Sequence, residues 1–387
     1  MDFRLGPAPE QVRREIREFL AEHYTEEARE RERRLGNGHD WELFRRLAER
    51  GWVSAAWPRE VGGGGRDPYE MLVFQWELGK AEFPWFGLLN NSPVGRTLLE
   101  LGSEWQRREI VPRIVRGEIL VSLGYSEPNA GSDVAAVQTT ARRDGAGWLV
   151  DGQKMFTTQA HLAHYVFTLT RTNREVAKHR GLSVFLIPTD APGVEIRPIH
   201  TVGGERTNAV YLAGVRVADE LRVGPVDGGW SVVRHALGLE QGVGFADRME
   251  GFVERAREWA AARDARGERP IDDPRVRERL ARASIHAEVA KLLRQRVAWV
   301  HASGQTERGE GPMAKLFSAE KFVEDVNDVM ELLGPAGALR HGEPGAIAGG
   351  FFEEAFRSAP VTRIYGGSNE ILRSVIAEGR LGLPRTR

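Results

Sequence analysis

Cysteine is absent from the 387-residue chain. That excludes disulfides, thiolate metal sites and cysteine nucleophiles together, and it fits a reducing cytoplasm. A surplus of either charge is missing as well. The chain has 54 Lys and Arg against 55 Asp and Glu, whereas a dedicated nucleic-acid binder carries a basic excess. No stretch approaches the ~18 uninterrupted apolar residues of a membrane span. The opening MDFRLGPAPEQVRREI has no apolar core of the signal-peptide kind, so a cytoplasmic chain without a membrane anchor is expected. There is no G-x-x-x-x-G-K-S/T loop, no G-x-S-x-G elbow and no H-E-x-x-H pair, which removes the simplest nucleotide-hydrolysing, serine-hydrolase and metalloprotease readings. His161 and His164 lie too close to a predicted strand to form a helical ligand pair, so no metal is expected. The Gly62–Gly65 run lacks a strand before it and a phosphate-binding helix after it, and reads as a flexible surface turn.

What is present is the composition of a soluble globular protein, 41% hydrophobic and 28% charged. The length exceeds the roughly 250–300 residues at which single cores stop growing, so two or three domains are expected. Val12, Ile16, Phe19 and Leu20 share one helical face, and Trp41, Phe44, Leu47 and Ala48 form a second stripe. Further helices are predicted around Tyr69–Lys80 and Glu104–Arg116, and Arg29–Arg34 reads as a solvated helix face. From Ile119 to about Val223 the apolar runs become short and β-branched, as in Tyr165–Leu169 and Leu182–Ile187. Helical pattern returns at Trp230–Ala262, Asp273–Ser303, Pro312–Leu333 and Asn369–Glu378. The expected fold is α+β: an N-terminal helical domain (1–118), a middle β-sandwich or barrel domain (119–223) and a C-terminal four-helix-bundle-like domain (224–387).

Three segments carry chemistry. Tyr125–Asp133 (YSEPNAGSD) is a strand end followed by a small-residue loop, which lets backbone amides approach a ligand, with Ser126 and Ser132 as hydroxyl donors. Asp151–Thr158 (DGQKMFTT) is a turn and strand ending in an aromatic and two hydroxyls, able to stack on a flat group and bond its edge. Arg363–Ile371 (RIYGGSNEI) opens a helix behind two glycines, an N-terminal end suited to anionic or polar groups.

In this order and around this layout, the segments resemble the acyl-CoA dehydrogenase family of flavoenzymes, whose patterns are T/S-E-P-x-A-G-S-D, G-x-K-x-W-I/T-S/T and Y-E/G-G-T/S-N-E. The likeness covers nearly the whole chain, including Trp57–Glu60 with Gly62-Gly63, and Pro112–Ile114 with Gly117-Glu118. It is nearest to bacterial dehydrogenases acting on sterol side-chain CoA thioesters. The resemblance implies FAD as cofactor, with Tyr125 among the residues that bind it and Ser126 at the flavin ring near N5. Gly131 and Ser132 would stand at the pyrophosphate and thioester region. Phe156, replacing the usual tryptophan, and Thr158 would lie against the isoalloxazine, and Ser368 and Glu370 on the adenosine side.

The family's reaction removes an α-proton while the β-hydrogen leaves as hydride, so a desolvated carboxylate must face the α-carbon. Most members place that glutamate inside the end motif; here the position is Gly366. A minority branch takes it from an L-x-x-E-R pattern on the first long C-terminal helix. This chain has Leu237-Gly238-Leu239-Glu240-Gln241 there, so the resemblance implies Glu240 as base, in surroundings made apolar by Leu237, Leu239, Val243 and Phe245. Gln241 stands in place of the family arginine. Gly366 would still offer its N–H to the thioester carbonyl, and its missing side chain predicts a branched or bulky acyl group, such as a steroid-derived one.

Family homotetramers complete each FAD site from a neighbour, through R-x-x-F-G and Q-x-F-G-G-x-G segments. Here Arg266 stands at the phenylalanine, Glu331 at the glutamine and Pro335 at a glycine, and a negative charge facing a pyrophosphate is unfavourable. A heterotetramer (α2β2) with a paralogous subunit is therefore expected, with a homotetramer as the alternative. Electron-transfer flavoprotein is the expected acceptor. An acyl-CoA oxidase on the same fold, or a non-catalytic subunit completing a partner's site, are the rival readings.

Overall fold

The computed structural model describes residues 3–240, 244–263 and 267–384, with Glu240 described by its backbone alone. The N-terminal helices begin where the sequence provides caps. Helix α1 (Pro7–His23) opens on proline and buries Val12, Ile16 and Phe19. Helix α2 (Glu26–Leu35) is capped by Thr25 and stopped by Gly36 at φ 59°. In α3 (Trp41–Glu49), Asp40 accepts from the amides of Glu42 and Leu43. A reciprocal Asp67–Glu70 capping box starts α4 (Pro68–Lys80).

Helix α5 (Phe86–Leu101) lies within the helical N-terminal zone but has no periodic signal of its own: Pro93 lies inside it and its buried set includes Gly87, Asn91 and Gly95, which disguise the periodicity. The Glu104–Arg116 stretch is a π-turn (Gln106–Ile110) running into α6 (Val111–Val115). The Gly62–Gly65 run is no flexible turn. The Gly64 and Gly65 amides donate to Ser54 and Trp57 carbonyls, and a Cβ on Gly63 would sit 2.2 Å from the Trp57 oxygen. Glycine is there because two backbone segments touch.

The middle domain has eight strands: β1 (Val121–Gly124), β2 (Thr140–Asp144), β3 (Gly147–Lys154), β4 (Tyr165–Arg171), β5 (Leu182–Pro188), β6 (Val194–His200), β7 (Arg206–Ala218) and β8 (Arg222–Val223). They form one hydrogen-bonded path, β6-β7-β3-β2-β4-β5-β8, with β1 pairing parallel to β4. Strands β2 and β4 meet through a single pair, Thr140 and Arg171. The sheet folds over at that joint, bringing the Trp148 ring of β3 within 5.2 Å of Phe185 on β5.

The C-terminal domain comprises α7 (Gly229–Glu240), α8 (Ala246–Ala261), α9 (Pro274–Ala302), α10 (Glu310–Leu333), α11 (Phe351–Ser358) and α12 (Asn369–Gly379). The single helix predicted over Trp230–Ala262 is thus two, consistent with the glycines at 242 and 244, which weaken helix propagation. Helices α8, α9 and α10 pack around Phe252, Ala283, Ala290, Phe322 and Val326, and α4 inserts Leu72 and Trp76 into the same core. The rest of the N-terminal helices share a core with the sheet. Helix α4 therefore borders both cores, and a cleft opens beside it.

Candidate active site

The cleft has a volume of about 2680 Å³ and is walled by all three parts of the chain. Tyr125, Ser126, Gly131, Ser132, Phe156, Thr158, Gly366 and Ser368 all line it, so segments more than two hundred residues apart meet here. Glu370, exposed in the first turn of α12, is not among the described lining residues. The side chain of Glu240 lies outside the described residues, as do Gln241 and Val243; Leu237 and Leu239 just before it, and Phe245 just after, line the cleft. Arg266 also lies outside the described residues. The Arg29–Arg34 face of α2 is solvated at Arg33 and Arg34 and half-buried at Arg29 and Arg31, and it also borders the cleft.

The loop after β1 is closed on itself by Glu127 and Ala130, which exchange backbone hydrogen bonds of 2.9 and 3.1 Å. The buried Glu127 carboxylate accepts from the amides of Gln138 (2.6 Å) and Thr139 (3.0 Å), at the far end of the same loop. Lys154, fully buried at the end of β3, donates to Glu127 Oε1 at 2.7 Å. Burial pushes the Lys154 ammonium down to about 8, opposed by the Glu127 charge. Glu127 is held below the usual carboxylate range: burial opposes this, but the Lys154 charge and the Gln138 amide outweigh it. One ion pair therefore fastens the loop to the strand that carries the aromatic and hydroxyls. Both residues belong to the sequence motifs at Tyr125–Asp133 and Asp151–Thr158, but only folding pairs them. The amides of Gly131 and Ser132 have no acceptor among the described residues and border the cleft.

Beyond Lys154 the chain leaves the sheet. The Met155 amide donates to the Ser126 carbonyl at 2.9 Å, and Asn208 brackets Thr157, accepting from its amide (2.9 Å) and donating to its carbonyl (3.0 Å). Between them Phe156 sits at φ 55° as a 61% exposed residue. A left-handed backbone at a bulky residue is strained, and here it presents the ring to the cleft. Thr158 Oγ1 lies 3.3 Å from the Thr207 hydroxyl, a second cleft residue not singled out in the sequence.

On the opposite wall, Gly366 (φ 62°) and Gly367 (φ 89°) make a left-handed turn that glycine adopts without strain. Lys315 Nζ on α10 donates to the Gly367 carbonyl at 2.6 Å, while the Gly366 amide has no acceptor among the described residues. A Cβ on Gly366 would meet only Lys315 Cε, at 3.5 Å. Ser368 caps α12, accepting from the Ile371 amide. The start of α8 is fixed by Arg294, which donates to Asp247 (3.3 Å), the Gly244 carbonyl (3.4 Å) and Gln75 of α4 (2.8 Å). Burial raises the Asp247 carboxyl, and the Arg294 charge opposes the rise. Glu331 is paired with Arg279 at 2.8 Å. The described residues contain no group of three His, Asp or Glu side chains placed to hold a metal ion.

An exposed aromatic at a strained backbone, hydroxyls beside it and unpaired amides around it form a surface for a flat group with hydrogen-bonding edges, and a flavin fits that description. The comparisons agree. Residues 7–118, 122–215 and 227–381 match the family models for the acyl-CoA dehydrogenase N-terminal, middle and C-terminal domains. The chain is 39% identical to acyl-CoA dehydrogenase FadE26 of Mycobacterium tuberculosis, over 98% of both chains. Its structure is similar to one in the ChsE4–ChsE5 complex of the same organism, at 37% identity, TM-score 0.91 and full coverage of both chains. It is also similar to the Tcur3481–Tcur3483 steroid ACAD, at 34% identity, TM-score 0.88 and full coverage of both. The chain belongs to the acyl-CoA dehydrogenase family: it is an oxidoreductase of that class, with FAD as its cofactor. No helix among the described residues is long and apolar enough to cross a membrane.

Proposed function

We propose that this enzyme introduces an α,β double bond into a branched or bulky acyl-CoA thioester, with Glu240 as base. Bound FAD supplies the hydride acceptor. Ser126, Phe156 and Thr158 would hold the ring, Tyr125 backing the loop from its buried position, and Gly131, Ser132, Ser368 and Glu370 would hold the rest of the cofactor. The Gly366 amide donates to the thioester carbonyl, where charge grows as the α-proton leaves, and a preorganised donor gains strength there. The proton passes to the Glu240 carboxylate. Apolar neighbours raise such a carboxylate toward the operating pH.

The observation that carries this reading is the cleft itself. It joins the flavin-facing set to a wall where Gly366 leaves space and where α7 ends at a glutamate. That space is the reason for proposing a bulky acyl chain, and the likeness to a structure titled a steroid ACAD supports a steroid-derived one. We assign 1–118, 119–223 and 224–387 as the domains. The assembly is proposed as an α2β2 heterotetramer with a paralogue. Glu331 is committed to Arg279 rather than offering a glutamine amide, and two similar structures are titled with two protein names. Electron-transfer flavoprotein is the proposed acceptor, and the cytoplasm the proposed site.

The test is anaerobic flavin bleaching by straight, branched and sterol-derived CoA thioesters, with and without candidate partner subunits, for wild type and Glu240→Gln. Wild type is expected to bleach with the bulky thioesters, and Glu240→Gln to keep its FAD while bleaching 10²–10⁴-fold more slowly. Unchanged bleaching in the variant would remove Glu240 as base, and a clear preference for short straight chains would remove the bulky substrate.

A further inference from the structure

One face of α8 borders the cleft beyond the flavin-facing set, at Arg248, Gly251, Phe252 and Arg255. Its neighbours include the end of α4, with Lys80 and Glu82, and the Glu205 turn before β7. Three cations along this wall are engaged. Lys80 pairs with Glu254 at 2.6 Å, Arg29 donates to the Ala81 carbonyl at 3.4 Å, and Arg255 reaches Glu82 at 3.5 Å while lying 4.3 Å over the Phe351 ring.

Arg248 differs. It is half-buried, its guanidinium lies 6.0 Å from the Phe245 ring centroid, and among the described residues it has no hydrogen bond and no carboxylate within 4.0 Å. Asp247 beside it is turned to Arg294. Tyr365, then Glu205, Asp247 and Glu82, hold the guanidinium above its ordinary value despite burial, so it stays charged. Those groups act at longer range and accept none of its hydrogen bonds, so the guanidinium's donors are open toward the cleft that Arg248 lines.

We propose that Arg248 is a specificity residue that donates hydrogen bonds to an oxygen function, a ketone, hydroxyl or carboxylate, carried by the acyl part of the substrate away from its thioester. This rests on the dehydrogenase reading above. The acyl chain, not the cofactor, is the partner because Arg248 belongs to the α4–α8 wall, whereas the flavin-facing hydroxyls and aromatic come from the sheet domain. Phe245 and Tyr365 contact each other at 5.8 Å between ring centroids and flank Arg248; Tyr365 directly precedes Gly366, so a chain leaving the thioester site along this wall passes the guanidinium. Gly251, one turn further on, keeps the path open: a Cβ there would meet only the Lys80 carbonyl, at 3.7 Å. A planar guanidinium fork is suited to ketone or carboxylate oxygens in a way an ammonium is not.

The test uses the FAD-loaded enzyme, with its partner subunit if one is required, and a matched pair of polycyclic CoA thioesters, one bearing a distal ring ketone and one deoxygenated. Rates of anaerobic flavin reduction give the ketone-to-deoxy preference. Wild type is expected to prefer the ketone by about tenfold or more, Arg248→Met to bring that ratio near one chiefly through weaker binding, and Arg248→Lys to restore part of it. An equal ratio in wild type and Arg248→Met, or loss of FAD from the variant in place of lost preference, would overturn the inference alone. Absence of flavin reduction by either thioester in wild type would overturn the dehydrogenase reading and this inference with it.

Discussion

Lys154 and Arg248 are both cations withdrawn from bulk water beside one cleft, and the chain treats them in opposite ways. Lys154 is wholly buried and matched by Glu127, whose remaining acceptor capacity is taken up by two backbone amides. Arg248 is half-buried and, among the described residues, has no hydrogen bond and no carboxylate within 4.0 Å, the acidic groups that favour its charge acting at longer range. A cation whose counter-charge comes from its own chain is part of the architecture; it sets the distance between two ligand-facing segments and holds it. A cation with no direct ion-pair partner is prepared for something that arrives.

The sharpest way to break this comparison is Lys154→Met. It strands a buried carboxylate, so a loss of roughly 3–5 kcal/mol is expected, seen as a lower denaturation midpoint together with weaker FAD retention. Adding Glu127→Gln should return most of the stability, because the stranded charge is then gone. A single variant as stable as wild type would mean that the pair does not organise the loop.

A smaller effect is expected with pH. Lys154 sits near 8 in the folded chain against 10.5 for an ordinary lysine. Below pH 8 both folded and unfolded chains carry the proton, and the burial cost is present in full. Between about 8 and 10.5 the unfolded chain binds more protons, so this residue's contribution to stability rises with pH. Denaturant titrations from pH 7 to 10 should show wild type gaining on Lys154→Met across that window; a constant difference would refute the depressed value. The smallest effect is on the other side of the comparison. Arg248→Met breaks no ion pair, so its denaturation midpoint should shift by no more than about 0.5 kcal/mol, in either direction. A loss of several kcal/mol would show that Arg248 is structural after all.

Much of the fold was legible because its signals are local. Asp67 and Glu70 mark a helix start through a capping box, and the β-branched runs of Leu182–Ile187 mark a strand wherever they occur. The loop around Ser126, the Phe156 strand and the Gly366 turn were each readable as ligand-facing segments from small residues, an aromatic and hydroxyls. The exceptions were residues whose role depends on a distant partner. Pro93 and the small buried residues of α5 mask a helix whose stability comes from packing. Gly63 reads as flexible until Trp57 is laid against it. Arg248, in the run Phe245-Ala246-Asp247-Arg248, looks like any charged position on an amphipathic helix.

The sequence by itself determined the order of the three parts, the family and the types of side chain available for the chemistry, because propensity, capping and motif spacing act over a few residues. Only the tertiary structure decided that Glu127 and Lys154 neutralise each other, that Phe156 is turned outward at a strained angle, and that Arg248 has no direct ion-pair partner among the described residues. Those outcomes follow from burial and from distances between segments far apart in the chain. Electrostatic cost depends on what surrounds a charge in space, and the amino-acid order alone does not list those neighbours.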